Sequence, residues 1–241
     1  MDFTGFLGND AVKARLSGAF ASGRVAHSYL LCGPAGSGKH MLTRILSAAM
    51  QCEGRSGEIP CGVCSGCRKA LEGVHPDIIT VDDPDHKAMT VDPIRAARSD
   101  MFIRPNEGKR KIYIIPRGQD MNESAQNALL KILEEPPDYG VFLILSTNAE
   151  RLLPTIRSRC VSFAIAPVSP ADCARYCTAR GVEKKDAAVK IVDDVDDVLL
   201  SSQEGIIIRL HVNEIPLQSR YGSGVRVMRL GENDKVMVLA R

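Results

Sequence analysis

Through the first two-thirds of the chain, short apolar runs alternate with stretches of helical periodicity. The runs at Ser28–Cys32, 77–81, Lys111–Ile115, 141–146 and 161–165 are rich in Val, Ile and Leu and show little polar alternation. That pattern predicts parallel strands buried on both faces. Between them the periodicity predicts helices at Asp10–Ala21, 39–51, Val91–Met101 and 122–134. The last carries Ala125, Leu129, Ile132 and Leu133 on one stripe. Asp120 and Glu123 stand three apart at its start, as a capping box would, and Pro136-Pro137 ends it. Strand–helix alternation of this kind predicts an α/β fold with a doubly wound parallel sheet.

After Pro167 the pattern changes. Two short helices are expected at 170–180 and 183–189, around Gly181. From about 191 short β-type runs take over, at 198–201, 205–210, 225–230 and Val236–Ala240, separated by turn residues. The expected organisation is therefore an α/β domain at 1–167, a partial helical lid at 168–190 and a small all-β segment at 191–241.

Composition adds limits. The chain has 241 residues, 44% hydrophobic and 25% charged, as an ordinary globular protein does. No apolar stretch is long enough to span a membrane, and the start Met1-Asp2-Phe3-Thr4 lacks a signal-peptide pattern. A cytoplasmic location is the expectation. A net charge of +2 does not by itself point to nucleic acid.

The first chemical motif is Gly33-Pro-Ala-Gly36-Ser-Gly38-Lys39-His40, placed between a strand and a helix. Such a loop turns backbone N–H groups and a lysine toward phosphates, with Gly33, Gly36, Gly38 and Lys39 as the binding residues. Its last position is a histidine where the motif calls for Ser or Thr, whose hydroxyl would hold magnesium, an oxygen-seeking ion. The run Lys111–Ile115 ends in Pro116-Arg117 where a hydrolytic site needs two carboxylates. ATP could bind; self-catalysed hydrolysis is not expected.

The second motif is Cys52, Cys61, Cys64 and Cys67, spaced C-x8-C-x2-C-x2-C with Gly54, Gly57, Gly62 and Gly66 between them. Four thiolates at this spacing predict a closed, structural zinc site with no open catalytic position. The other four cysteines, Cys32, Cys160, Cys173 and Cys177, are scattered and are expected to be small core residues.

Together with Ser158-Arg159-Cys160, these motifs resemble the clamp-loader branch of the AAA+ ATPases, in particular its delta-prime type from bacterial DNA polymerase III. The likeness rests on residues 26–39, the cysteine insert, 124–137 and 153–160, in the family's order over about 1–170. It implies that Arg159 acts in trans, as a finger on ATP held by a neighbouring subunit. It also implies gamma/tau and delta subunits, a sliding clamp and, indirectly, primer-template DNA as partners. Thr147-Asn148 matches the family's sensor position. The defects at His40 and Pro116-Arg117 favour the non-hydrolysing delta-prime type over the alternative, an ATP-hydrolysing gamma/tau type.

The tail resembles something else, the last blade of the C-terminal β-pinwheel of DNA gyrase A, through 191–210 and 224–230. A DNA-binding module led by this tail is the third reading. From 191 onward, however, acidic residues outnumber basic ones eight to six, and one blade cannot wrap DNA. The expected explanation is a join of two replication-protein pieces.

Overall fold

The structure is a computed structural model that describes residues 1–54, 57–169, 171–172, 175–176, 197–202, 207–211 and 236–240. The chain divides into two compact units, Met1–Val168 and Ser169–Arg241.

The first unit is built on a five-stranded sheet in the order β2-β3-β4-β1-β5. The strands are β1 (Ser28–Cys32), β2 (Ile78–Thr80), β3 (Lys111–Ile115), β4 (Gly140–Ser146) and β5 (Val161–Ala164), all paired in parallel. The helices are α1 (Asp10–Ala21), α2 (Lys39–Met50), α3 (Ser65–Glu72), α4 (Val91–Met101), α5 (Glu123–Glu134) and the single turn α6 (Pro154–Arg157). It is an α/β fold in which helices cover both faces of a parallel sheet.

The pleat sorts the core into two layers. Leu30, Tyr113, Ile115, Phe142 and Ile144 face α4 and α5, meeting Ile94, Met101, Leu129 and Ile132. The alternate residues Tyr29, Leu31, Ile112, Val141 and Leu143 face the other way, toward Leu16, Leu42, Ile45 and Leu46 of α1 and α2. Burial on both faces holds for β1, β3 and β4. It fails at the sheet edges: in β5 only Phe163 of the four residues is buried, and no residue of β2 is.

Three local expectations need correction. Helix α5 is capped by Asn122, whose side chain accepts from the Ala125 N–H at 2.8 Å, and not by an Asp120–Glu123 box. Asp120 lies too early, inside the 3-10 turn Gly118–Asp120. Helix α3, absent from the predicted helices, begins inside the cysteine segment, and Cys64 caps it through its sulfur. Cys32 and Cys160 are partly rather than fully buried, while Cys173 and Cys177 lie outside the described residues.

In the second unit, β6 (Asp197–Ser202), β7 (Ile207–His211) and β8 (Val236–Ala240) form an antiparallel sheet in the order β7-β6-β8. Ala171, Asp172, Arg175 and Tyr176 are helical. The strand expected at 225–230 and the helix expected at 183–189 lie outside the described residues. No helix among the described residues is long and apolar enough to cross a membrane.

Candidate functional site

In a parallel sheet of this kind, ligands gather at the carboxyl ends of the strands. Here that rim carries the loop 33–38 after β1, Pro116-Arg117 after β3 and Thr147-Asn148 after β4. Two glycines in the loop are sterically required. A Cβ on Gly33 would stand 2.2 Å from the Ile165 carbonyl oxygen, and Gly38 holds φ 90° with the Phe6 ring against it. Lys39 is buried, and its Nζ donates to the Gly33 and Pro34 carbonyls at 2.6 Å each. Burial lowers its pKa from 10.5. The Ser37 hydroxyl inside the loop is buried without a hydrogen-bond partner. These features fit a phosphate cradle.

The other positions on the rim carry an imidazole and a cation. His40 is exposed, and the next hydroxyl along α2, Thr43, is committed to the Lys39 carbonyl at 2.9 Å. Arg117 fills the place after β3 with a cation. Its Nε and Nη2 donate to Asp82 at 2.9 and 2.7 Å, and Nη2 also donates to the Asp83 carbonyl. Asp83 in turn accepts from Thr90 at 2.5 Å and pairs with His86, which together hold its pKa at about 2. The carboxylate that meets Arg117, that of Asp82, is thus neutralised by it. The sequence showed Pro116-Arg117 at this place but not the Arg117–Asp82 pair, whose members lie 35 positions apart.

The four predicted cysteines come together. The Sγ atoms of Cys52, Cys61, Cys64 and Cys67 all lie within 4.8 Å of one another. Tetrahedral zinc with Zn–S bonds of about 2.3 Å sets sulfurs roughly 3.8 Å apart, and the Cys61–Cys67 separation is 3.9 Å. Backbone N–H groups of Gly54, Cys64 and Cys67 point at the sulfurs of Cys52, Cys61 and Cys64 at 3.3 to 3.4 Å. Donors aimed in this way favour thiolates, and the N–H groups of Cys64 and Val63 bring Cys61 down to about 6. Burial pushes Cys67 the other way. Gly66 is required for packing: a Cβ there would stand 2.4 Å from the Gln51 carbonyl oxygen.

Arg159 is at the opposite end of the sheet from the phosphate loop. It sits just before β5 begins, and its carbonyl accepts from Ser28, the first residue of β1, at 2.6 Å. Its guanidinium is partly exposed, donating from Nη1 to the Thr155 carbonyl and from Nη2 to Glu134 at 2.9 Å. The segment is fixed by Gln126 of α5, a buried amide that donates to the Met121 and Arg151 carbonyls and accepts from the Leu153 N–H. Neither the role of Gln126 nor the pairing of Glu134 with Arg159 was legible in the sequence, because both partners on α5 look like ordinary polar positions.

Residues 8–169 match the protein family described as DNA polymerase III, delta subunit. The chain belongs to that family. Among individual members of the polymerase III system it is similar to the gamma/tau subunit of Mycobacterium tuberculosis, with 34% identity over 79% of this chain and 34% of the relative. It is also similar to the delta' subunit of Pseudomonas aeruginosa, 39% identical over 58% of this chain and 43% of the relative. The tau subunit of Escherichia coli is 34% identical over 67% of this chain and 25% of the relative. The chain thus spans about a quarter to under a half of these relatives' lengths.

Among solved structures it is similar to a gamma subunit-related protein of Thermotoga maritima, at 23% identity and a TM-score of 0.42 over 58% of this chain and 41% of that one. The RuvB branch migration motor of the same organism aligns at 18% identity and a TM-score of 0.46, over 76% of this chain and 55% of that one. Residues 196–240 match a second family, the DNA gyrase C-terminal domain, beta-propeller.

Proposed function

We propose that this delta-family chain is a non-hydrolysing, delta-prime-type subunit of a DNA polymerase III clamp loader, and that Arg159 serves ATP held by a neighbouring subunit. The observation that carries this reading is the position of Arg159. It lies at the amino end of a parallel sheet whose carboxyl end bears the phosphate loop. Strand β1 between them spans roughly 13 Å at about 3.3 Å per residue, so the side chain cannot serve its own loop. A phosphate it meets belongs to another molecule.

Three features support the non-hydrolysing part. His40 replaces the magnesium hydroxyl, Pro116-Arg117 replaces the acids, and Arg117 is itself paired with Asp82. Gly33, Gly36, Gly38 and Lys39 remain able to hold a nucleotide's phosphates. Cys52, Cys61, Cys64 and Cys67 would hold zinc, which supplies a cross-link for a segment too small to have its own core. Gamma/tau and delta subunits, the sliding clamp and, through them, primer-template DNA are the partners of this reading.

The test is ATP turnover. The purified chain alone should hydrolyse no ATP above background. In a loader reconstituted with its gamma-type subunits, Arg159→Ala should lower hydrolysis at the facing site by roughly 10³-fold or more. Its effect on folding should stay under about 1 kcal/mol, since the side chain is solvated. Unchanged turnover in the complex with Arg159→Ala would sink the proposal.

A further inference from the structure

The guanidinium of Arg159 is not free. Its Nη2 donates to Glu134 at 2.9 Å and its Nη1 to the Thr155 carbonyl at 3.0 Å, with the arginine side chain 37% and the glutamate 50% exposed. Both groups are therefore open to an incoming ligand while they hold each other.

The place of Glu134 is unusual on physical grounds. It is the last residue of α5. The carbonyl end of a helix carries partial negative charge, so a carboxylate there is disfavoured and a cation preferred. Glu134 stands against that preference, and the cation that offsets it comes from another segment, 25 positions along. The two segments are also held in register. Gln126 of α5 makes three hydrogen bonds to backbone between Met121 and Leu153, and Ser28 fixes the Arg159 carbonyl. With both backbones anchored, the pair has a defined geometry rather than that of two loose surface charges.

We infer that Glu134 is a positioning residue for Arg159: it holds the guanidinium parked between encounters and competes for it with the polyphosphate of the neighbour's nucleotide. Arginine prefers a bidentate phosphate to a single carboxylate contact, so a polyphosphate in reach exchanges one anion for another. An anion presenting less charge does not displace Glu134 as readily. The device sets a threshold on which ligand the finger leaves its own chain to meet. The inference rests on the in-trans reading of Arg159.

The experiment uses the full chain alone, with inorganic tripolyphosphate as the probe. The side-chain Nε resonance of Arg159 is followed by NMR as the probe is added, together with the rate of rotation about its Nε–Cζ bond. In the wild type the rotation should be slow and the half-point for tripolyphosphate high. Glu134→Gln should speed the rotation and lower the half-point about two- to fivefold, the range of an exposed ion pair. Glu135→Gln, which removes a neighbouring charge from the same helix end, should change neither. Equal half-points in wild type and Glu134→Gln, or equal shifts from Glu134→Gln and Glu135→Gln, overturn the inference. In the reconstituted loader Glu134→Gln should raise kcat/KM for ATP by a similar factor, and a fall would overturn it as well. Failure of the in-trans reading looks different: there Arg159→Ala leaves loader turnover unchanged, whatever Glu134→Gln does to the isolated chain.

Discussion

Asp77 has no exposed surface, yet its carboxylate orders a loop that reads as ordinary surface sequence. Its Oδ1 accepts from the Asn106 N–H at 2.6 Å, and its Oδ2 from those of Glu107 and Gly108 at 3.0 and 2.7 Å. The following residues, Lys109 and Arg110, donate their N–H groups to Gln51, the residue before the first cysteine of the cluster, and the chain then enters β3. Asp77→Ala removes three hydrogen bonds to a charged acceptor. At about 1.5–3 kcal/mol each, the upper bound is roughly 9 kcal/mol. The loop lies at the surface, so its freed N–H groups can turn to water and recover about half of that. The expected loss is about 2–4.5 kcal/mol, or a fall in Tm of roughly 4–18 °C for a unit of this size.

Urea unfolding of the first unit measures the loss, and hydrogen exchange at 106–108 locates it. The pH dependence gives a second check. Burial alone would raise the pKa of Asp77, but the three N–H donors outweigh it and hold the pKa below 3.8. A depressed carboxylate contributes stability that is fully present above about pH 3.8 and is lost as pH falls through the folded value. Wild type and Asp77→Ala should therefore converge in acid. A loss under about 1 kcal/mol near neutral pH, or unchanged exchange at 106–108, refutes the reasoning.

Further outcomes follow from other sites. Purified without chelators, the protein should carry one zinc per chain, and Cys67→Ala should abolish it. Because α2 and the sheet have their own core, the loss should strip exchange protection from α3 before it melts the unit; full protection of α3 without metal counts against a zinc-held insert. The buried His75 should titrate below 6.5 and the Asp83-bonded His86 above it. For His86 the stability is fully present below pH 6.5 and is lost as pH rises through its folded pKa; for His75 stability increases as pH rises toward 6.5. Reversed NMR titration order would contradict both assignments. Gly33→Ala should destabilise the first unit by at least about 2 kcal/mol through the clash with Ile165. Near-wild-type urea unfolding would show that the loop gives way easily.

Much of the architecture was legible in the order of residues because it depends on local spacing. Apolar runs of four to seven residues fixed β1, β3 and β4, since a strand buried on both faces needs no partner-specific code. The glycine loop and the C-x2-C pairs were legible for the same reason: a turn that aims N–H groups at a phosphate, or sulfurs at one point, is completed within a few residues. Only the tertiary structure decided how distant charges combine. Arg117 with Asp82, Arg159 with Glu134, and Asp77 with the N–H groups of 106–108 join positions 25 to 35 apart. The sheet order brings those segments together, and each side chain alone is a common polar residue with many ways to be satisfied. The same order set Arg159 at the far end of the sheet from the phosphate loop. Periodicity shows where a strand lies, but which end of the sheet a residue occupies depends on how the strands are arranged in space.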